Sequence, residues 1–439
     1  MKGSPTRLIP AAVVLVLLAA AVPALASGSQ EPSAMAGPVK LTYWTFTAIH
    51  KTFYADMLKQ WNAANPKQQI DLTMVDYPNT DMHNKLLLAL QSGVGAPDIV
   101  DININFFTNF LKGDIQLLPL NKVVDPVRKD FVQSRFDIYT RNGVVYGLPT
   151  HVGATVVYYN KEITDKAGVD IDQIVTWNDF IEAGKKVLAA TGIPMTCFEV
   201  TDQRPFWPMI VQQGSDYVDG SGKVILDNDV NIRTLQAMYD MMYGSKIAVP
   251  MAGGNTYNEQ FYAAMDKGQY ATLIMPMWYM SRFLSYMPDL KGKIYVRPMP
   301  VWKQGDLRSA GMGGTGTAVT RQTKYPDLAI NFLAFAKLTH QGAIAIWKDL
   351  RFDPARYEAW SDPALREPDP YFGNEDVFKL LRALGPSQMP SPLSETTSLS
   401  AAAQDVVKNQ VMYKALVDRT MTPEQALRAG ADELRKQQQ

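Results

Sequence analysis

Residues 40–104 read KLTYWTFTAIHKTFYADMLKQWNAANPKQQIDLTMVDYPNTDMHNKLLLALQSGVGAPDIVDINI, and the hydrophobic rhythm changes four times along them. Lys40 to Phe46 carries the β-formers Leu41, Tyr43, Trp44 and Phe46 and reads as a strand. From Thr52 to Asn65, Phe53, Met57, Trp61 and Ala64 fall on one helical stripe, which Asn65-Pro66 ends. Gln69 to Val75 alternates Ile70, Leu72 and Met74 with Asp71 and Thr73, a second strand. Asn79 or Thr80 can cap a helix running through Leu90, and Gly93 closes it. Ile99 to Ile104 is a third strand. The order β-α-β-α-β, with crossovers long enough for parallel pairing, predicts an α/β fold.

The mixture continues outward from this stretch. Gly153–Asn160, Gln269–Met275 and Thr315–Thr320 read as strands. Trp177–Ala190 (capped by Asn178 or Thr176), Val230–Tyr243, Asn258–Asp266 and Pro326–Leu338 read as helices, the last with proline at its start. From Pro392 the chain looks helical and ends in a polar tail.

In the other direction lies an address label. Lys2 and Arg7 precede an apolar run from Ile9 to Leu25, and the small residues Ala24-Leu25-Ala26 follow. This is the layout of a cleaved secretory signal peptide over residues 1–26. The run is shorter than the ~20 residues of a typical spanning helix, so cleavage is favoured over anchoring. No cysteine follows it, so a lipoprotein anchor is not expected. Residues 27–38, rich in Ser, Gly, Pro and Ala, read as a flexible leader. The expectation is a soluble protein in the periplasm or outside the cell.

Composition narrows the class. Lysine and arginine total 43, as do aspartate and glutamate, so no basic face argues for nucleic acid. The single cysteine, Cys197, excludes an internal disulfide or a multi-cysteine metal site. A chain of 439 residues must instead rely on its hydrophobic core. Four motif-like signals fail on context. Gly311-Met312-Gly313-Gly314-Thr315-Gly316 fits a dinucleotide loop but precedes a strand, and so reads as a glycine-rich hinge loop. Asp227-x-Asp229-x-Asn231 and Asp101-x-Asn103-x-Asn105 lack the glycine and glutamate of a calcium loop. The four histidines show no metalloprotease spacing, and no G-x-S-x-G elbow is present.

The chain resembles the family 1 extracellular solute-binding proteins, the maltodextrin-binding-like components of sugar ABC importers. The landmarks stand in family order: "LTYWTF", "WNAANP", "HNKLLLALQSGVGAPDIV", "YGLPTHVGATVVYYNKE", "TWNDFIEAGKKV", "FYAAMDKGQYA" with "MPMWYMSRF", and "GGTGTAVT" with "YPDLAINFLAFA". Each is degenerate alone, and their joint order carries the signal. The resemblance implies two discontinuous α/β lobes, a hinge and a ligand cleft between the lobes. Crossings fall near Val152, Gly311 and Arg351. Lobe 1 then comprises 39–151 and 311–350, and lobe 2 comprises 152–310 and 351–439 with the C-terminal helices. The implied partners are a small carbohydrate and the membrane subunits of an importer. A monomer is expected, with no cofactor, no metal and no catalysis.

Candidate ligand-binding residues come from two sources. Ligands of open α/β sheets sit beyond the carboxyl ends of strands, which points to Trp44 and Thr45 on the first strand and Asp101, Asn103 and Asn105 on the third. Pyranose C–H faces stack on aromatic rings, and sugar hydroxyls pair with carboxylates and amides. Trp207 and Gln203 add further candidates of those types, His151 sits at the first crossing, and Arg351 and Asp353 lie near the last. From the resemblance, Trp278 and Tyr279 match a cleft-facing aromatic position, and Gly313 and Gly314 match a loop whose amides approach ligand. Blander roles stand beside these. Trp44 serves equally as core, Asp101 as a helix cap, Asn103 and Asn105 as turn residues, and His151 as a structural histidine. Trp61, Trp177, Trp302, Trp347 and Trp360 read as structural. Alternative functions are a binder of a non-sugar solute, such as a phosphorylated polyol, and a secreted glycosidase. The first would want several cleft-facing cations and the second a carboxylate pair.

Overall fold

In the computed structural model, which describes Met1 and residues 37–438 apart from 391 and 392, the opening stretch folds in the expected order. Strand β1 (Val39–Thr45), helix α1 (Ile49–Ala64), β2 (Ile70–Asp76), α2 (Asn79–Ser92) and β3 (Ile99–Asn103) come one after another. β1 pairs in parallel with both β2 and β3, placing Tyr43 beside Met74 and Ile99. The expected signal segment after Met1, and the leader up to residue 36, lie outside the described residues.

After β4 (Leu148–Pro149) the chain leaves this sheet and builds a second one. β5 (Thr155–Asn160) is fully buried, without the alternation of a half-exposed strand. Next come α3 (Trp177–Thr191), α4 (Asp229–Tyr239), α5 (Glu259–Asp266), β6 (Thr272–Pro276), α6 (Met280–Tyr286) and β7 (Ile294–Pro298). β5 is the middle strand, antiparallel to β6 on one side and β7 on the other. The chain then returns. β8 (Thr315–Val319) joins the first sheet antiparallel to β3 and β4, giving the order β2-β1-β3-β8-β4. Helices α7 (Pro326–Leu338) and α8 (His340–Leu350) cover that sheet, and α9 (Ser400–Val406) and α10 (Pro423–Gln437) close the molecule.

Each sheet has its own core. One face of the first sheet packs Leu41 and Tyr43 against Phe53, Met57 and Trp61 of α1 and Phe332 of α7. Its other face packs Trp44, Val100 and Ile102 against Met82 and Leu86 of α2. The second sheet is buried in a separate cluster that takes in Trp177, Trp207, Tyr279 and the C-terminal helices. Burying one such side chain contributes about 1.5–3 kcal/mol.

Three stretches run side by side where the units meet. The amide of Thr150 donates to the Thr315 carbonyl (3.0 Å), that of Met312 to Gly153 (2.9 Å) and that of Val152 to Asp353 (2.9 Å). Past them, Phe352 and Ala355 pack in the first core, and Ala359 and Trp360 in the second.

Several sequence expectations shift. The strand expected from Gly153 begins at Thr155, because Gly153 and Ala154 bond to Asp353 instead. The strand expected over Gln269–Met275 starts at Thr272, and the helix expected to reach Tyr243 is regular only to Tyr239. Neither Asn79 nor Thr80 caps α2, since both already lie within its first turn after Pro78. Thr176 does cap α3, through a reciprocal box with Asp179.

Candidate functional site

Between the two units lies a cleft of about 710 Å³, within the range of small-molecule sites. The first sheet contributes the residues just past its strand ends. Phe46, Thr47 and His50 come after β1, Asn79 and Thr80 open α2, and Asn103, Asn105 and Phe106 stand at and beyond the end of β3. The second unit supplies Asp202, Gln203, Arg204, Trp207, Tyr257, Trp278 and Arg282. His151, Gly313 and Gly314 come from the crossing stretches, and Gln404, Asp405 and Lys408 from the C-terminal helices.

Eight of the expected ligand-binding residues therefore meet at one place: Asn103, Asn105, His151, Gln203, Trp207, Trp278, Gly313 and Gly314. Asn103 combines its two readings, facing the cleft while its side chain accepts the Asn105 amide at 3.0 Å. Trp278 packs against both cores and donates its indole N–H to the Met312 carbonyl at 3.0 Å. Gly313 leaves it room: at φ +74°, a Cβ there would stand 2.9 Å from that indole nitrogen. Trp207 reaches the wall but is only 2% exposed, its indole N–H donating to Asp216 at 2.9 Å and its ring stacked on Tyr217.

Six expected residues do not line the cleft. Trp44 lies under α2, with Tyr77 edge-on and the Lys85 ammonium 5.0 Å from its ring. Thr45 and Asp101 are fully buried. Asp101 accepts from Tyr43, from Thr45 (3.1 Å), from His50 Nδ1 (2.6 Å) and from Thr317 (2.6 Å). The physical reason is position: these residues lie inside strands, and the cleft begins one or two residues later, at Phe46 and Asn103. Tyr279 turns away from its neighbour Trp278 and donates its hydroxyl to the Thr256 carbonyl at 2.6 Å. Arg351 ends α8 in the left-handed conformation, over Trp347 and 3.4 Å from Asp369. Asp353 accepts the amides of Ala154 (2.8 Å) and Gly153 (3.3 Å), tying the crossings together. Burial pushes its carboxyl up to about 7, with those amides pulling the other way.

Electrostatics divide the site into a braced floor and a receptive surface. Burial alone would raise the Asp101 carboxyl, but the charge and hydrogen bond of His50, and Lys337 beyond, bring it down to about 2. Burial lowers Lys337 itself to about 8. His83 has no free nitrogen: Nδ1 bonds the Asn79 carbonyl at 2.6 Å, and Nε2 accepts the Asn103 amide at 2.9 Å. Its ring lies flat against Phe106, with centroids 4.2 Å apart, and burial lowers its pKa to about 4. Thus His83 orients Asn103 and Phe106 from behind. On the other wall Arg204 donates to Glu199 at 2.8 Å and lies over Tyr257.

The receptive atoms are those left unpaired. Both ring nitrogens of His151 and Oε1 of Gln203 are buried in the cleft wall without a hydrogen-bond partner. His151 is 5% exposed and Gln203 6%. Burial, and the positive charges of Arg135, His50 and Lys337, hold the His151 pKa well down. The neutral ring offers one donor and one acceptor, the pairing that a hydroxyl satisfies. An orphaned buried polar group costs about 1–3 kcal/mol, which any hydrogen-bonding partner would recover.

Sequence reasoning missed His50, His83, Arg204, Tyr257 and the C-terminal wall. Only Arg204 carried a local signal, standing between Gln203 and Trp207.

Two α/β units, three crossings and a polar–aromatic cleft define a periplasmic binding protein-like fold built to enclose a small solute. The chain belongs to the bacterial extracellular solute-binding proteins, whose family model matches residues 43–341. It is 44% identical over 413 residues to an arabinooligosaccharide-binding protein of Bacillus subtilis (strain 168), covering 93% of this chain and 94% of that one. A second protein of that description, from Halalkalibacterium halodurans, is 44% identical over 394 residues, with 89% and 88% covered. Among solved structures, the GacH receptor of Streptomyces glaucescens superposes with a TM-score of 0.75 at 20% identity, covering 91% of this chain and 98% of that one. A binding protein from B. animalis subsp. lactis, in complex with beta-1,6-galactobiose, gives 0.73 at 22% identity with the same coverages.

Proposed function

We propose that this chain is the carbohydrate-capturing component of an ABC importer, working outside the cytoplasm and delivering an oligosaccharide, with arabinose oligomers the first class to test. The observation that carries the reading is the cleft surface. It offers aromatic faces at Trp278 and Tyr257, amides at Asn79, Asn103, Asn105 and Gln203, and a neutral, unpaired histidine at 151. Amides and rings suit a polyhydroxylated ligand, and the cations of the cleft, Arg204, Arg282 and Lys408, are matched by Asp202, Asp405 and the Glu199 that Arg204 bonds. The two relatives at 44% identity bear the same ligand class in their names.

In this reading the lobes change over at 151/152, at 310/311 and, a few residues past the expected 350/351, between Ala355 of the first core and Ala359 of the second. The ligand bridges Asn103 and Asn105 on one lobe and Gln203 and Trp278 on the other. It favours the closed form because only that form touches it from both sides. The protein acts as a monomer without cofactor or catalysis, and its partners are the importer's membrane subunits, with no role for nucleic acid. A thermal-shift panel of mono- and oligosaccharides tests this. Arabinose oligomers should raise Tm, while amino acids and sugar phosphates should not. A flat response to every carbohydrate would refute the reading.

A further inference from the structure

One row of side chains continues out of the cleft along the second unit. Tyr257 and Trp278 stand with their ring planes within 6° of parallel, centroids 6.4 Å apart. The Arg282 guanidinium lies 5.7 Å from the Tyr257 ring and 5.9 Å from the Tyr286 ring, and so bridges the two. Tyr286 in turn stacks on Tyr262 at 4.5 Å and 2°. Trp278, Tyr257 and Arg282 line the cleft, whereas Tyr286 and Tyr262 lie beyond it.

The sequence builds this row locally. Arg282 and Tyr286 are four residues apart on α6, so they share a face, and Tyr262 comes from the adjacent α5. Two of the rings stand out into solvent, Tyr257 at 44% exposed and Tyr286 at 47%, while Trp278 and Tyr262 pack in part against the core. Tyrosines held in register by a guanidinium, continuous with the cleft, offer hydroxyl partners and the ring surface that the Tyr262–Tyr286 stack leaves exposed.

We propose that this row is an extension subsite, along which the end of a long oligosaccharide leaves the cleft over Arg282, Tyr286 and Tyr262. It deepens the carbohydrate reading, rests on it, and makes the protein a selector for chain length. Short oligomers fill the cleft alone, and longer ones gain contacts outside it.

The test is calorimetric titration with arabinose oligomers of increasing length, from the dimer upward, on wild type and on Y286A, Y262A and Y286F. Affinity should keep rising with length in wild type. Y286A and Y262A should lose roughly 3- to 10-fold on the longest oligomers, leave the dimer unchanged, and melt close to wild type. Y286F should restore the gain, because the ring face is kept. Equal losses at every length, or none at any length, would overturn the extension subsite while leaving the carbohydrate reading in place. No binding at any length would overturn the reading beneath it.

Discussion

At the residue scale, the cleft owes its chemistry to which polar atoms are left without partners. Asp101 and His50 are committed to each other, whereas His151 and Gln203 are not. His151→Ala should weaken carbohydrate binding by on the order of tenfold or more, and any fall in Tm comes from lost packing on Phe352, since the ring makes no native hydrogen bond to lose. Calorimetry paired with a melting curve separates the two effects. The converse holds for His83. Its native pKa, about 4, lies below the ordinary 6.5. Between those values the unfolded chain binds the extra proton and the native one does not, so stability falls as pH falls. The full contribution is present above about pH 6.5, and at most about 3 kcal/mol is lost by about pH 4. His83→Gln should flatten that limb of a denaturant-unfolding series against pH, and an unchanged slope would contradict the assignment.

At the element scale, the crossings hold the backbone tightly. Gly153 holds φ +71°, and a Cβ there would sit 2.3 Å from the Met312 carbonyl oxygen. Gly153→Ala should therefore cost about 2 kcal/mol or more, read as a lowered unfolding midpoint in urea. Legibility from sequence is also decided at this scale. The alternation of Ile70, Leu72 and Met74 and the stripe of Phe53, Met57 and Trp61 report burial on one face, so β2 and α1 were legible. The fully buried β5 has no polar face to betray its period, and its start was misplaced. The site was half legible for the same kind of reason. Residues at or just past strand ends, such as Asn103 and Asn105, could be found from the carboxyl-end rule. Trp44 and Asp101 could not be separated from them without knowing where each strand stops. Tyr257 and Lys408 reach the cleft only through tertiary packing, which leaves no trace in local pattern.

At the scale of the whole molecule, two cores are joined by three crossings, and in the proposed reading they close on a sugar. Closure brings the lobes together, so small-angle scattering should report a smaller radius of gyration with saturating oligosaccharide than without. Trp278→Ala, which removes both a stacking face and the indole bond to Met312, should weaken that response. The central claim is that the cleft itself captures the carbohydrate. Isothermal titration of the wild-type protein and of His151→Ala with an arabinose oligomer tests it most directly. The expected result is one site per chain in the wild type and a clear loss of affinity in the variant. Binding that is equally tight in both, or absent in the wild type, would contradict it.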